Sequence, residues 1–144
     1  MSDTTEDGFS AEERAAIKER AKEVRPKKKG KSTPEEDAAE VLARIDEMAG
    51  DDRAIAERLH ELVAANAPQL TPKTWYGMPA YAKDGKVVFF FQAASKFNTR
   101  YATLGFNDNA NLDDGEIWPT AFAIAGLTAT VEKRLAELIR TSVS

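Results

Sequence analysis

The sequence predicts an α+β domain: a curved antiparallel sheet of four to five strands, with an N-terminal helical hairpin and a C-terminal helix packed on it. Three observations carry this. Apolar residues recur at three- and four-residue steps between residues 34 and 66 and again after residue 128, which is the helical period. Eleven of the 12 aromatic residues fall between Trp75 and Phe122, among the β-branched residues and glycines of strands and turns. Within that stretch Lys83-Asp84-Gly85-Lys86 sets an Asp-Gly pair between two apolar runs, a strong local sign of a hairpin.

Taken in order, a first helix is expected from Ser10, which forms a capping box with Glu13, to about Val24, ahead of Pro26. Its inner face is mostly alanine, so it has little apolar area to remove from water and should dock weakly. Arg25, Lys27, Lys28, Lys29 and Lys31 then crowd into seven residues around Pro26 and Gly30, a solvated hinge. The chain therefore divides into an appended helix and basic linker, residues 1–32, and one folded domain, residues 33–144. Thr33, Pro34 and Glu36 repeat the start signal, and Ala38, Val41, Leu42, Ile45 and Met48 draw one apolar stripe down a second helix that Gly50 should stop. Asp51 or Asp52 is the expected cap of a third helix with Ile55, Leu59, Leu62 and Val63 inward, ended before Pro68. So short a connection makes the pair an antiparallel hairpin.

For the sheet, WYGMPAY (Trp75 to Tyr81) reads as a kinked edge strand, because Pro79 lacks a ladder donor and Gly77 suits a positive φ. Val87 to Phe91 has no polar break and is placed centrally, Val87, Phe89 and Phe91 facing one way and Val88 and Phe90 the other. Thr99 to Phe106 follows a turn at Ser95 to Asn98, and Ile117 to Ile124 forms a further strand. Thr128 caps the last helix, with Val131, Leu135, Leu138 and Ile139 on one face. Three helices cover only one face of such a sheet. The second face is left to its own loops or to a ligand.

Composition narrows the chemistry. With no cysteine and one histidine there is neither a disulfide scaffold nor a Cys/His zinc site. The longest run without polar side chains, Ala121 to Leu127, is seven residues, far short of a membrane span, and the acidic start MSDTTEDG is no signal peptide. A cytoplasmic setting is the expectation. The net charge of −4 hides an asymmetry: residues 1–31 carry nine basic and seven acidic side chains, and the acidic excess lies in the remainder. The tract at 25–31 should make only weak phosphate contacts, since it lacks interleaved aromatics.

No catalytic constellation is visible, and no enzyme is expected. His60 falls about 115° from the centre of its helix's apolar stripe, which places it on a solvated flank. G-x-S-x-G and G-x-G-x-x-G are absent, and Gly30-Lys31-Ser32 lacks the first glycine of a phosphate-binding loop. Two clusters remain. The loop Asn107 to Glu116 carries Asp108, Asp113, Asp114 and Glu116 with no basic residue between Arg100 and Lys133; it fails the EF-hand template but suits weak binding of a hard cation or ferrous iron. Trp75, Tyr76, Met78 and Tyr81 form one wall of an aromatic groove on the second face, with Phe97, Asn98 and Arg100 as the other wall and Arg100 able to fork onto an anion.

Over residues 37–142 the chain resembles the YdhG-like family of small bacterial proteins, through WYGMPAY, the KVVFFFQ strand, FNTRYATLGF, IWPTAFAI and the closing helix. The resemblance implies an α+β fold with an antiparallel sheet. Some family members carry the label of frataxin-like iron chaperone, which implies iron handling through exposed carboxylates. The expected function is thus a small, non-enzymatic binding protein, holding iron or another hard cation at the carboxylate loop. The alternative is a small molecule or peptide in the aromatic groove. A contact of the N-terminal arm with protein or DNA ranks third.

Overall fold

The structure, a computed structural model of the chain, describes residues 11–16 and 32–144. Residues 11–16 are helical, within the first expected helix; the Ser10 cap and the basic tract lie outside the described residues. The domain then runs as helix α1 (Pro34–Asp46), helix α2 (Gly50–Asn66), strands β1 (Thr71–Trp75), β2 (Met78–Lys83) and β3 (Lys86–Gln92), the short helix α3 (Ala94–Phe97), strands β4 (Ala102–Phe106) and β5 (Ala121–Ile124), and helix α4 (Ala129–Ser142). The five strands form one antiparallel sheet in sequence order. The α+β architecture is as expected, and no described helix is long and apolar enough to cross a membrane.

Local chemistry explains most boundaries. The Thr33 hydroxyl accepts from the Glu36 amide at 3.1 Å while the Glu36 carboxylate accepts from the Thr33 amide at 2.8 Å, the reciprocal cap that opens α1. The Thr128 hydroxyl accepts from the Val131 amide at 3.1 Å and opens α4. Asp84 (φ 52°) and Gly85 (φ 81°) occupy the left-handed region that a two-residue hairpin turn demands, and so do Tyr76 (φ 53°) and Gly77 (φ 76°). This second turn corrects the reading of WYGMPAY as one strand. It is a complete hairpin, so β1 is the edge and β2, with Pro79, is interior. The proline is tolerated because the β2–β3 ladder begins only at Ala80 paired with Phe90.

Other boundaries shift. α1 ends at Asp46, and Gly50 opens α2 instead of stopping α1. Ser95 to Asn98 is a helical turn closed by Asn98 at φ 56°, which delays β4 to Ala102. β5 starts only at Ala121, and Ile117 stands 87% exposed.

All three long helices gather on one face. Val41 and Ile45 of α1, Ile55, Leu59, Leu62 and Val63 of α2, and Leu135, Leu138 and Ile139 of α4 share a single core with Tyr81, Val88, Phe89, Phe91, Leu104, Phe106 and Ile124. Arg58 of α2 joins α4 through Glu132 at 2.7 Å, and Thr74 of β1 donates to Glu40 of α1 at 2.6 Å.

The central strand departs from plain alternation. Tyr81 pairs with Phe89 but Ala82 pairs with Val87, so Val88 is the extra residue of a β-bulge. A bulge turns two consecutive side chains to one side. Val88 and Phe89 are both buried in the core, and Val87 shares the other face with Phe90. This reverses the expected directions of Val87 and Val88. Asn107 holds the bulge: its amide donates to the Val88 carbonyl at 2.8 Å and its side chain to the Val87 carbonyl at 3.0 Å.

Candidate functional site

The face turned away from α1, α2 and α4 is floored by small residues. Pairing runs Lys73 to Ala80 to Phe90 to Gly105 to Ala121 across the sheet, and Trp75 pairs with Met78 on the same side. Gly105 is required here. A Cβ on it would stand 2.4 Å from the Phe90 ring, which lies flat on the glycine. Trp75 leans on Phe90 at 5.1 Å between ring centroids and on Tyr76 at 4.8 Å, edge-on. Two aromatic rings thus lie on an alanine and glycine floor.

Beside them is a depression of about 420 Å³, lined by Lys73, Trp75, Gly85, Lys86, Val87, Asn107, Asp108 and Asn109. It brings together the edge strand, the Asp-Gly turn and the start of the β4–β5 loop. Lys73 and Lys86 make no ion pair among the described residues. The lining residues include two lysines and one aspartate. The arrangement offers an apolar wall, two lysines and Asn109.

Of the seven groove residues read from the sequence, only Trp75 lines this depression. Met78 shares its face but is buried, and Tyr76 lies in the hairpin turn. Tyr81 must be removed from the groove: it is fully buried on the opposite, helix-covered face. Residues 78 and 81 are three apart on one strand, and a two-residue period puts them on opposite sides. Phe97, Asn98 and Arg100 sit in the β3–β4 connection, where the Arg100 guanidinium lies 5.1 Å over the ring of its own neighbour Tyr101. They form no second wall to the depression. Lys73, Lys86, Val87 and the two asparagines were not anticipated. Lys73 was within reach, two residues from Trp75 on the same strand.

The carboxylates Asp108, Asp113, Asp114 and Glu116 are exposed along the β4–β5 loop. Among the described residues no three carboxylate or imidazole groups come together in a way that holds a metal ion, so the loop is not a closed cation site. Its asparagines serve the fold: Asn107 holds the bulge, and Asn111 donates to the Ser144 carbonyl at 3.1 Å, tying the loop to the end of α4.

Two polar groups that the sequence placed at the surface turn inward. Asp52, expected as a helix cap, caps a different helix. Its carboxylate accepts from the Ala94 amide at 3.0 Å, the Ser95 amide at 3.0 Å and the Ser95 hydroxyl at 2.7 Å. Burial alone would raise its pKa, but these hydrogen bonds outweigh burial and hold the carboxyl below its ordinary value. His60 is half-buried, not on a solvated flank. Its Nδ1 lies 3.0 Å from the Tyr81 hydroxyl, and burial lowers the imidazole pKa against the opposing pull of Glu61. Burial also pushes the Tyr81 phenol well above its ordinary value.

No protein family, no curated protein and no solved structure matches this chain significantly. The functional reading therefore stands on the geometry of its sites.

Proposed function

We propose that this chain is a small-molecule binding protein that holds a planar aromatic anion in the depression on the sheet face turned away from the helices. The observation that carries the reading is Trp75 in one lining with Lys73 and Lys86, two lysines without an ion-pair partner among the described residues, around a space of about 420 Å³. That volume lies in the range of small-molecule sites, roughly 300–1,000 Å³. It suits one or two fused rings with a carboxylate or phosphate.

The physics sets the expected affinity. Stacking on one aromatic side chain contributes about 1–3 kcal/mol, and each partly exposed ion pair adds about 0.2–1 kcal/mol. The total of roughly 1.5–5 kcal/mol places the dissociation constant between about 0.2 and about 80 mM for a simple probe. A ligand that also engages Asn109 binds more tightly.

The test is a fluorescence and amide-NMR titration with indole-3-acetate, phenyl phosphate and, as the cationic control, benzylamine. The two anions are expected to shift the amides of residues 73–75, 85–87 and 107–109 and to change Trp75 emission. Lys73→Gln with Lys86→Gln should weaken them about two- to thirtyfold, and added salt should weaken the wild-type binding. Equal binding of benzylamine, or undiminished binding in Trp75→Leu, would refute the proposal.

A further inference from the structure

A second cleft lies on the helix-covered side of the sheet, where the C-terminal half of α2 meets the start of the edge strand. It has a volume of about 200 Å³, and its walls include Val63, Ala67, Leu70 and Pro72, with His60 and Tyr81 as its polar members. No lysine, arginine, aspartate or glutamate lines it.

The two polar residues define one donor. Tyr81 is fully buried and packs on Phe89 at 5.4 Å between centroids, so its hydroxyl must be satisfied inside the protein. The partner that the geometry supplies is Nδ1 of His60, at 3.0 Å. The Tyr81 hydroxyl has no other hydrogen-bond partner among the described residues, so it is satisfied when the phenol donates and Nδ1 accepts. The imidazole proton then resides on Nε2. An apolar space of this size with a single fixed donor selects for shape and for one acceptor.

We propose that this cleft is a second binding site, for a small neutral molecule of about one six-membered ring that carries a single carbonyl or ether oxygen to accept from His60 Nε2. The size follows from volume, since a dry cavity of about 150 Å³ already holds benzene. Neutrality follows from the lining. A carboxylate would lose its water and meet no cation, a desolvation cost of at least several kcal/mol.

The experiment titrates the full chain, labelled with ¹⁵N, with cyclohexanone and in parallel with cyclohexanecarboxylate at pH 7.5. Cyclohexanone is expected to give saturable millimolar shifts at the amides of residues 60–72 and 81; the carboxylate is expected to give none there. His60→Asn keeps an acceptor for the Tyr81 hydroxyl but removes the Nε2 donor, and should weaken cyclohexanone at least fivefold. Imidazole ¹⁵N shifts of the unliganded wild type, which need no variant, should report the Nε2–H tautomer. The proposal is overturned by any of four results: no saturable shift up to 50 mM ketone, equal binding of the carboxylate, full affinity in His60→Asn, or an Nδ1–H tautomer.

Discussion

Replacing Gly105 by alanine tests the packing on which the sheet-face site depends. The new Cβ would stand 2.4, 2.8 and 2.9 Å from three carbons of the Phe90 ring, whereas ordinary contact begins near 3.4 Å. The ring must therefore retreat by about 1 Å, which forfeits roughly a quarter to a half of its dispersion contact with the floor. Overpacking of this kind costs about 1–3 kcal/mol, and the lower conformational entropy of alanine returns about 0.5–1 kcal/mol. Gly105→Ala should thus destabilise the wild type by about 0.5–2 kcal/mol. In a Phe90→Ala background the clash is gone, and the same substitution should stabilise by about 0.5–1 kcal/mol. The assay is a double-mutant cycle in urea, followed by circular dichroism, with Trp75 emission as a local reporter in a Trp118→Phe background. A coupling energy of at least about 1 kcal/mol is expected, with a change of Trp75 emission in Gly105→Ala, since the two rings lie 5.1 Å apart. If Gly105→Ala costs the same with and without the Phe90 ring, the ring does not rest on the glycine and the flat wall beside Trp75 is misdescribed.

Further outcomes follow from the buried and half-buried polar groups. Asp52→Ala should lower stability by about 2–4 kcal/mol in chemical denaturation, since it leaves two amides and a hydroxyl without their acceptor, and Asp52→Asn by less. Because the folded carboxyl is held below its ordinary value of 3.8, its contribution is complete above that value and fades as pH falls through the folded one; Asp52→Asn should flatten this acid limb of the stability profile. Tyr81→Phe should cost about 1–2 kcal/mol, read by thermal denaturation, by leaving Nδ1 of His60 without its donor. His60 is held below 6.5 by burial, so wild-type stability should fall as pH drops below that value, and His60→Asn should remove this slope. Asn107→Ala deletes the side-chain bond to the Val87 carbonyl and should cost about 1 kcal/mol, with the largest rise in amide exchange at residues 86–89.

What the chain settles by itself lies in signals that act over a few residues. The capping box at Thr33, the cap at Thr128, the Asp-Gly turn and the helical stripes are set by neighbours within four positions, so their outcome is visible before anything packs. The Tyr76-Gly77 turn was of the same kind; Gly77 signalled it, but the run of aromatics around it masked a hairpin as one strand. The sheet-face site was half legible for a similar reason. Trp75 and Lys73 belong to one strand, but Val87 reached that face only through a bulge, which carries no residue signature and breaks the alternation of Val87 and Val88 with Phe89 and Phe91.

Tertiary structure alone decided the rest. His60 meets Tyr81 across 21 positions and Asp52 meets Ser95 across 43, and neither contact exists until the sheet has assembled beneath α2. A polar side chain on a helix flank is solvated or buried according to what arrives next to it, and helical periodicity records only the helix's own geometry. Among the described residues the carboxylates of the β4–β5 loop do not gather into a group of three, on the same ground. Alternate acidic residues set charge along a chain, whereas coordination requires them to converge on one point in space.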